Sequence, residues 1–498
     1  MVIIKNIIRL GGAFSLLLLS SGIAQASPWA AVGDMQLRND VEILARHNVI
    51  SGPVNTWPIS WKQITRNLSR TSEMDLPPYV RLAVMRVKEK IPGEFRTTVH
   101  LQLTNNPAIV RGFQKTARND LDASATLEYN NDDSGTTVHL EGGYRKGNGE
   151  DYAHLDSSYL SQDIGNWSAY AGAFDRWWGP GRESTLILSN NARPMPSVGL
   201  RRIEPKAFET KWLSWIGPWQ WDMFVAKMEK DRHVPNALIA GMRLSFEPIN
   251  NFEVGLSRTM QLCGDGRPCG FASWTKALVS IGDLDNPVDR TDLSQEPGNQ
   301  LASIDFSYTA SISEKTNLKL YAEGAAEDLL LFLPYKYAKM IGISVYGPYR
   351  KDGAQWRVSA EFSDTVATLV WFGGTREKYV LYNHHIYQSG YRYKGRSIGH
   401  SLDSNSQLIS FSADYITQNN WTYTAKFHHA LVNRFDDGFF KNPVSTVKEK
   451  INLVEASVQV PMKIGDLYFS MRLHDDSPNT PDKKEAGVDI NIFWSHYF

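Results

Sequence analysis

The residues with the greatest chemical potential are Asp175-Arg176-Trp177-Trp178, followed by Gly179-Pro180-Gly181 and then by Ser189-Asn190-Asn191-Ala192-Arg193-Pro194. Indole faces can stack on sugar rings through C–H contacts. Asp175, Arg176, Asn190, Asn191 and Arg193 can hydrogen-bond hydroxyls or a uronic carboxylate. Together with Trp177 and Trp178 they form the candidate glycan-contact set. A structural reading competes with this one, because paired tryptophans near a strand end also build interfacial girdles, and Gly-Pro-Gly is a turn. Neighbours on extended backbone point to opposite faces. Trp177 and Trp178 should therefore differ in role, one meeting lipid or packed protein and the other the lumen or a loop.

A second polar stretch runs through Tyr382-Asn383-His384-His385, Tyr391-Arg392-Tyr393-Lys394-Gly395-Arg396 and Gly399-His400-Ser401. A metal held by His384, His385 and His400 is conceivable, as is a hydrolase using Ser401 and Asp403 with a histidine. Adjacent histidines on a strand point apart, which argues against shared ligation, and no spacing here requires a triad. Polar lining of a lumen is the reading these residues support best. No catalytic residue, metal or cofactor is expected. Cys263 and Cys269 lie in Cys-Gly-Asp-Gly-Arg-Pro-Cys. In an exported chain they are expected to close a tight loop as a disulfide, since two thiols without a nearby histidine are too few to hold a metal.

The elements that must position these residues begin with export. Lys5 and Arg9, the apolar run ending in Leu16-Leu17-Leu18-Leu19, and Ala24-Gln25-Ala26 read as a signal peptide over residues 1–26, with a mature chain beginning near Ser27. The apolar run is too short to span a bilayer. Formal net charge is zero, so there is no basic excess to suit nucleic acid. Mean hydropathy is −0.35, and nothing after the signal peptide suits a transmembrane helix. A membrane protein of this composition has to be a barrel, in which polar and apolar positions alternate and average out.

Residues 27–94 read as helical. Asp34 can cap a helix carrying Leu37, Val41 and Leu44 on one face. Ser60 and Gln63 resemble a capping box before Trp61, Ile64 and Leu68. Pro77-Pro78 opens a stripe of Val80, Val84, Val87 and Ile91, which Pro92-Gly93 ends. From Phe95 the period drops to two, which places a barrel over residues 95–498. Ala123, Ala125, Leu127 and Tyr129 alternate with Ser124, Thr126, Glu128 and Asn130, and similar alternation recurs around Val358, Phe411, Tyr423 and Phe469. Turn signals such as Asp436-Asp437-Gly438 and Ser477-Pro478-Asn479 separate the runs. At roughly 10 residues per strand plus loops, the segment holds about 16 to 20 antiparallel strands. Long connections such as residues 264–300 belong outside the cell. The final strand sets Val488, Ile490, Ile492, Trp494 and Phe498 on one face and Asp489, Asn491 and Ser495 on the other. It resembles the terminal strand of bacterial outer-membrane proteins, apart from His496. The helices are natural candidates for a periplasmic plug in the barrel.

Trp57-Pro58 with Trp61, Arg176-Trp177-Trp178-Gly179-Pro180-Gly181, Leu186 through Pro194, and Tyr391 through Arg396 with Gly399-His400-Ser401 together resemble Wzi-type capsule-assembly outer-membrane proteins. The resemblance spans nearly the whole mature chain, and the long Trp-to-Pro motif is its specific part. It implies a barrel of about 18 antiparallel strands closed by an N-terminal helical bundle. It also implies a lectin-like, non-enzymatic role in attaching capsular or extracellular polysaccharide to the cell surface, with outer-membrane lipid around the barrel and a polysaccharide export apparatus as a candidate partner. It supplies no defined set of sugar-contact residues, and the cysteine loop is no part of its pattern. A porin or polysaccharide export channel is the main rival reading, and an outer-membrane hydrolase is the second.

Overall fold

The computed structural model describes residues 28–68, 75–131, 133–147, 151–279, 298–327, 329–330, 333–334, 336–349, 353–368, 376–435, 441–481 and 483–498. The segment read as a signal peptide, the turn at 436–438 and residues 280–297 of the long 264–300 connection lie outside them.

The strands close into one antiparallel barrel with 18 strand positions. The last strand, Gly487–Tyr497, pairs with the first, Phe95–Thr104, and Trp494 lies opposite Leu101. The alternation seen in the sequence is laid out with its polar set inward. Ser124, Thr126, Glu128 and Asn130 are buried in the bore, as are Asp489, Asn491 and Ser495, while Val488, Ile490 and Ile492 are exposed on the outer wall. A soluble sandwich would bury the apolar set. Here that set faces hydrocarbon, where it costs nothing, and the strands satisfy one another's backbone groups around the closed ring. Connections at one end are short. At the other they are long, and residues 173–196 and 378–406 turn back into the bore. The long-loop end is extracellular by the usual asymmetry of such barrels.

The N-terminal segment carries three helices, α1 (Met35–Arg46), α2 (Trp61–Thr65) and α3 (Pro78–Lys90). The Asp34 carboxylate accepts from Leu37 N–H at 2.9 Å, so α1 starts where its cap residue stands. Leu37, Val41 and Leu44 are buried in one cluster with Val80, Ala83, Val84 and Val87 of α3. The Asp40 carboxylate grips Arg86 through two hydrogen bonds of 2.6 and 2.8 Å across the same contact. The capping box expected at Ser60 does not form. Trp61 N–H donates to the Pro28 carbonyl instead, and the Gln63 amide turns away to the Pro53 carbonyl. The segment is also less helical than its periodicity suggests: Trp29–Ala30 pairs with Ile59–Ser60 as a small ribbon. A nine-residue helix, Phe271–Val279, interrupts the otherwise all-strand region, in a connection expected to be loop.

Phe411 is half exposed in the middle of Gln407–Ile416, while Ser410 and Ser412 beside it face the bore. Phe411→Arg should destabilise the folded barrel in lipid vesicles by about 2–4 kcal/mol, the cost of a cation at the hydrocarbon midplane. A denaturant midpoint unchanged from the parent protein would mean that this face does not meet lipid.

Candidate functional site

The inner wall of the barrel is polar, and so is the chain folded against it. On α1, Gln36, Arg38, Asn39 and Glu42 are buried on the side facing the strands. The Glu42 carboxylate meets Arg357 at 2.6 Å, Lys319 at 3.0 Å and Arg38 at 3.4 Å. Burial alone would raise its pKa, but Lys319, Arg357, Arg38 and Arg182 outweigh burial and hold it well below the ordinary carboxylate range. Wall carboxylates also receive backbone N–H groups from the inserted segments. Glu253 accepts from Val54 and Asn55, Glu323 from Leu186, and Glu361 from Arg182 and Glu183.

The inserted segments then hold one another. Trp177-Trp178 pairs as a two-residue ribbon with Thr56-Trp57. The Arg38 guanidinium donates to the Pro180 and Gly181 carbonyls, both at 2.8 Å. Residues 186–191 pack along residues 382–400. Tyr382 donates to the Leu186 carbonyl, Tyr391 to the Ile187 carbonyl at 2.9 Å, and the Asn191 amide to the Ser397 carbonyl at 2.9 Å. Arg392 grips Asp403 through Nε and Nη2 of its guanidinium. Arg392-Tyr393 and Arg396-Ser397 form a hairpin whose two-residue turn, Lys394-Gly395, has φ of 49° and 74°. Positive φ at both positions fits the turn type whose twist matches that of the strands it joins.

Above this packing lies an open polar cavity of about 490 Å³, bounded by Asn106, Lys394, Arg396, Ser397, Ser401 and Asn479 with several prolines. All its lining residues come from connections at the long-loop end. A second cavity, of about 320 Å³, opens at the short-turn end between the helices and the wall, beside Lys90, Arg96 and Tyr497.

The sequence pattern of the family described as "Capsule assembly protein Wzi" matches residues 92–485. A Klebsiella pneumoniae protein described as an uncharacterized 55.8 kDa protein in the cps region is 32% identical over 493 residues, covering 96% of this chain and 92% of its own. The solved structure of Escherichia coli Wzi superposes with a TM-score of 0.78 at 25% identity, covering 93% of this chain and 98% of that one. That protein is described as an outer-membrane protein involved in group 1 capsule assembly and as a carbohydrate-binding β-barrel. The chain belongs to the Wzi capsule-assembly family. It is a β-barrel of the outer membrane.

In this Wzi-family barrel the residues read as glycan contacts lie mostly inside the protein. Trp177 and Trp178 do point to opposite sides, Trp177 toward Phe113 in the helical cluster and Trp178 toward Phe224 on the wall, but both are fully buried. Arg176 sits over the Phe174 and Phe224 rings and donates to Ser197 Oγ at 2.8 Å. Asn190 donates to the Phe113 carbonyl, and Asn191 to Ser397 as described. The expectation of direct sugar stacking is corrected on this point: no face of either indole is open, because the barrel's own chain occupies both. Asp175 and Arg193 keep partial exposure, bonded to Arg118 and to Asp156 respectively. The hairpin residues Lys394 and Arg396, and Ser401 beyond them, do reach an open cavity. The sequence pattern assigns them only to lumen lining, since their one signal is a pair of cations beside a tight turn.

The histidine readings resolve by geometry. His384 and His385 do not lie on a strand, so their rings stack at 4.5 Å rather than pointing apart. No group of three His, Cys, Asp or Glu residues able to hold a metal occurs among the described residues. His400 Nε2 lies 2.8 Å from Ser363 Oγ, not on Ser401, and Asp403 is committed to Arg392. Cys263 and Cys269 are joined as a disulfide.

Trp177→Ala and Trp178→Ala should each destabilise the protein by about 3–5 kcal/mol through cavity formation. Thermal unfolding in detergent would show a lowered midpoint for both variants, whereas an unchanged midpoint for either would contradict the packing. A further expectation concerns pH. His400 Nδ1 accepts from Leu402 N–H at 3.1 Å, which requires the neutral ring. Burial pushes this imidazole from 6.5 down to about 4, with Asp403 opposing only in part. A depressed pKa stabilises the fold above the unfolded value and loses that contribution on acidification. Order in residues 378–406 should therefore weaken as pH falls from about 6.5 to 4, by about 3 kcal/mol in total. Protease sensitivity of that segment should rise across the window in the parent, and His400→Gln should flatten the dependence.

Proposed function

We propose that this Wzi-family barrel is a non-catalytic glycan-binding protein that holds capsular polysaccharide at the cell surface through its extracellular loops. What supports the reading is the open, polar, rigidly backed cavity at the long-loop end, together with membership of a capsule-assembly family. The loops that line it are not loose. Hydrogen bonds to residues 186–191 and to the wall tie them down, so little ordering entropy is lost on binding. A polymer of repeating units needs only weak contact at each of many protein copies, because repetition raises the effective concentration.

On this reading residues 27–94 act as a periplasmic plug, and the inward loops complete the closure. The ion pairs from α1 to Lys319 and Arg357 support that role, since they fasten the helices to the wall at the short-turn end. A polysaccharide export apparatus would deliver the polymer from outside this barrel rather than through it.

Purified protein should bind a capsular polymer in affinity electrophoresis without shortening it, and in a planar bilayer the intact protein should pass almost no steady current. Chain shortening would favour the hydrolase reading, and large steady currents the channel reading. Failure to bind any polymer from a panel would remove the proposal.

A further inference from the structure

Many cations inside this barrel are paired with carboxylates. Arg182 meets Asp414 at 2.8 Å, Arg243 meets Asp305 at 2.6 Å, and Lys426 meets Glu183 at 2.9 Å. That is expected, because an unpaired charge away from bulk water is costly. The extracellular cavity departs from that pattern. Among the described residues, the half-buried Arg396 guanidinium has no carboxylate or other protein acceptor, and neither has the exposed Lys394 beside it, although both line the cavity.

The surroundings add to the positive potential. Arg111 lies buried behind the hairpin and donates only to neutral carbonyls, those of Ala108, Ala117 and Asn191. Burial lowers the Arg111 guanidinium well below its ordinary value, and Arg396 and Arg118 lower it further. Burial and Arg118 likewise lower Arg396. Of the nearby acids, Asp175 is taken by Arg118, and Asp476 accepts from the Ser477 and Glu485 backbone and from Thr480. Among its described lining residues the cavity has two cations and no acid.

Of its neutral groups, Asn479 is already bonded to Thr446 and Val444, while Asn106 is exposed. Ser401 is 3% exposed, lines the cavity, and its Oγ has no hydrogen-bond partner. That hydroxyl is closed to solvent and stands at the cavity wall without a partner. The turn itself is shaped at some expense. Lys394 at a φ of 49° occupies a left-handed conformation that strains a lysine and leaves a glycine almost unstrained. Its backing is fixed by the Arg392–Asp403 grip and by the Arg232 guanidinium, which donates to the Gly390 and Arg392 carbonyls at 3.0 Å.

We propose that this cavity is an acidic-sugar subsite, in which Arg396 and Lys394 receive the carboxylate of a uronic or similarly acidic residue while Asn106 holds a hydroxyl. The chemistry fits each part. A guanidinium fork matches a carboxylate in two parallel hydrogen bonds, and an ammonium beside it adds a mobile point charge. A volume of about 490 Å³ lies within the range of small-ligand sites, roughly 300–1,000 Å³. The ligand must come from outside the cell, since only extracellular connections line the cavity. The inference rests on the glycan-binding reading and narrows it to a charged sugar.

The test uses the full-length protein in detergent, free of lipopolysaccharide. Its probes are a glucuronate-containing capsular polymer and the same polymer after reduction of its carboxyl groups to alcohols. Binding to the acidic polymer is expected to weaken about tenfold or more on carboxyl reduction and in Arg396→Ala, the scale of one charge-assisted hydrogen bond. Lys394→Ala should lose less. Arg396→Lys should recover part of the loss, because it keeps the charge without the fork. Unchanged heat-modifiable mobility establishes that the variants are folded. Equal binding of the acidic and reduced polymers, or no loss in folded Arg396→Ala, would overturn the subsite and leave the broader glycan-binding reading standing. Failure of the parent protein to bind either polymer would overturn both. Displacement of the polymer by lipopolysaccharide with loss of Arg396 dependence would reassign the cavity to a lipid and also overturn it.

Discussion

Everything inside this barrel depends on one requirement: a chain inserted into a bore must have each of its buried polar groups met by the wall. A ring of 18 strands encloses a bore too wide for its own side chains to fill. Three helices and two inward loops pack against the inner wall, and each peptide group brought there needs a partner away from bulk water. Wall carboxylates supply many of those partners. Glu253, Glu323 and Glu361 each accept backbone N–H groups from inserted segments. The position of each carboxylate on the strands thereby sets where each inserted segment comes to rest.

The same requirement accounts for an N-terminal helix whose polar side is buried. An amphipathic helix on a soluble protein buries its apolar stripe and wets the other side. Here the apolar stripe of α1 meets α3, and its polar side meets a wall that is itself polar, so Glu42 finds Lys319 and Arg357 where water would otherwise stand. Such pairs contribute little net stability relative to apolar packing, because desolvation offsets much of the attraction. Their effect is on placement. A helix shifted by one turn would leave Glu42 and at least two cations buried without partners.

The barrel was legible because a period of two, sustained from Phe95 to Phe498, fits little besides a closed sheet once no apolar helix is present. The helices were legible from the Asp34 cap and the valine stripe of α3, and both lie where the sequence puts them. The short ribbons at Trp29 and Trp57 were not, since two-residue pairings leave no periodicity to read. The larger miss has a physical cause. Trp177, Arg176 and Asn191 have the composition of a sugar site, but they also have the composition of a bore-filling segment. A polar bore selects aromatic bulk with hydrogen-bonding edges, just as a sugar does. Only burial separates the two uses, and burial in a bore depends on contacts between residues distant in the chain, such as Arg38 with the Gly181 carbonyl.

This division of labour bears on how a glycan can be held at all. The motif residues cannot leave their bonds to meet a sugar without exposing the carbonyls and carboxylates they satisfy, which costs more than one weak contact returns. The contacts that remain available are those at the edge of the packed core, on turns whose backbone is fixed but whose tips are free. The Lys394-Gly395 turn is such a tip: its base is tied to Asp403 and Arg232 while its charged ends carry no internal duty. On the proposed glycan-binding reading, a site of that kind binds a single sugar weakly. For a polymer this is sufficient, because the chain that leaves one barrel is already near the next, and retention depends on how many such edges it crosses.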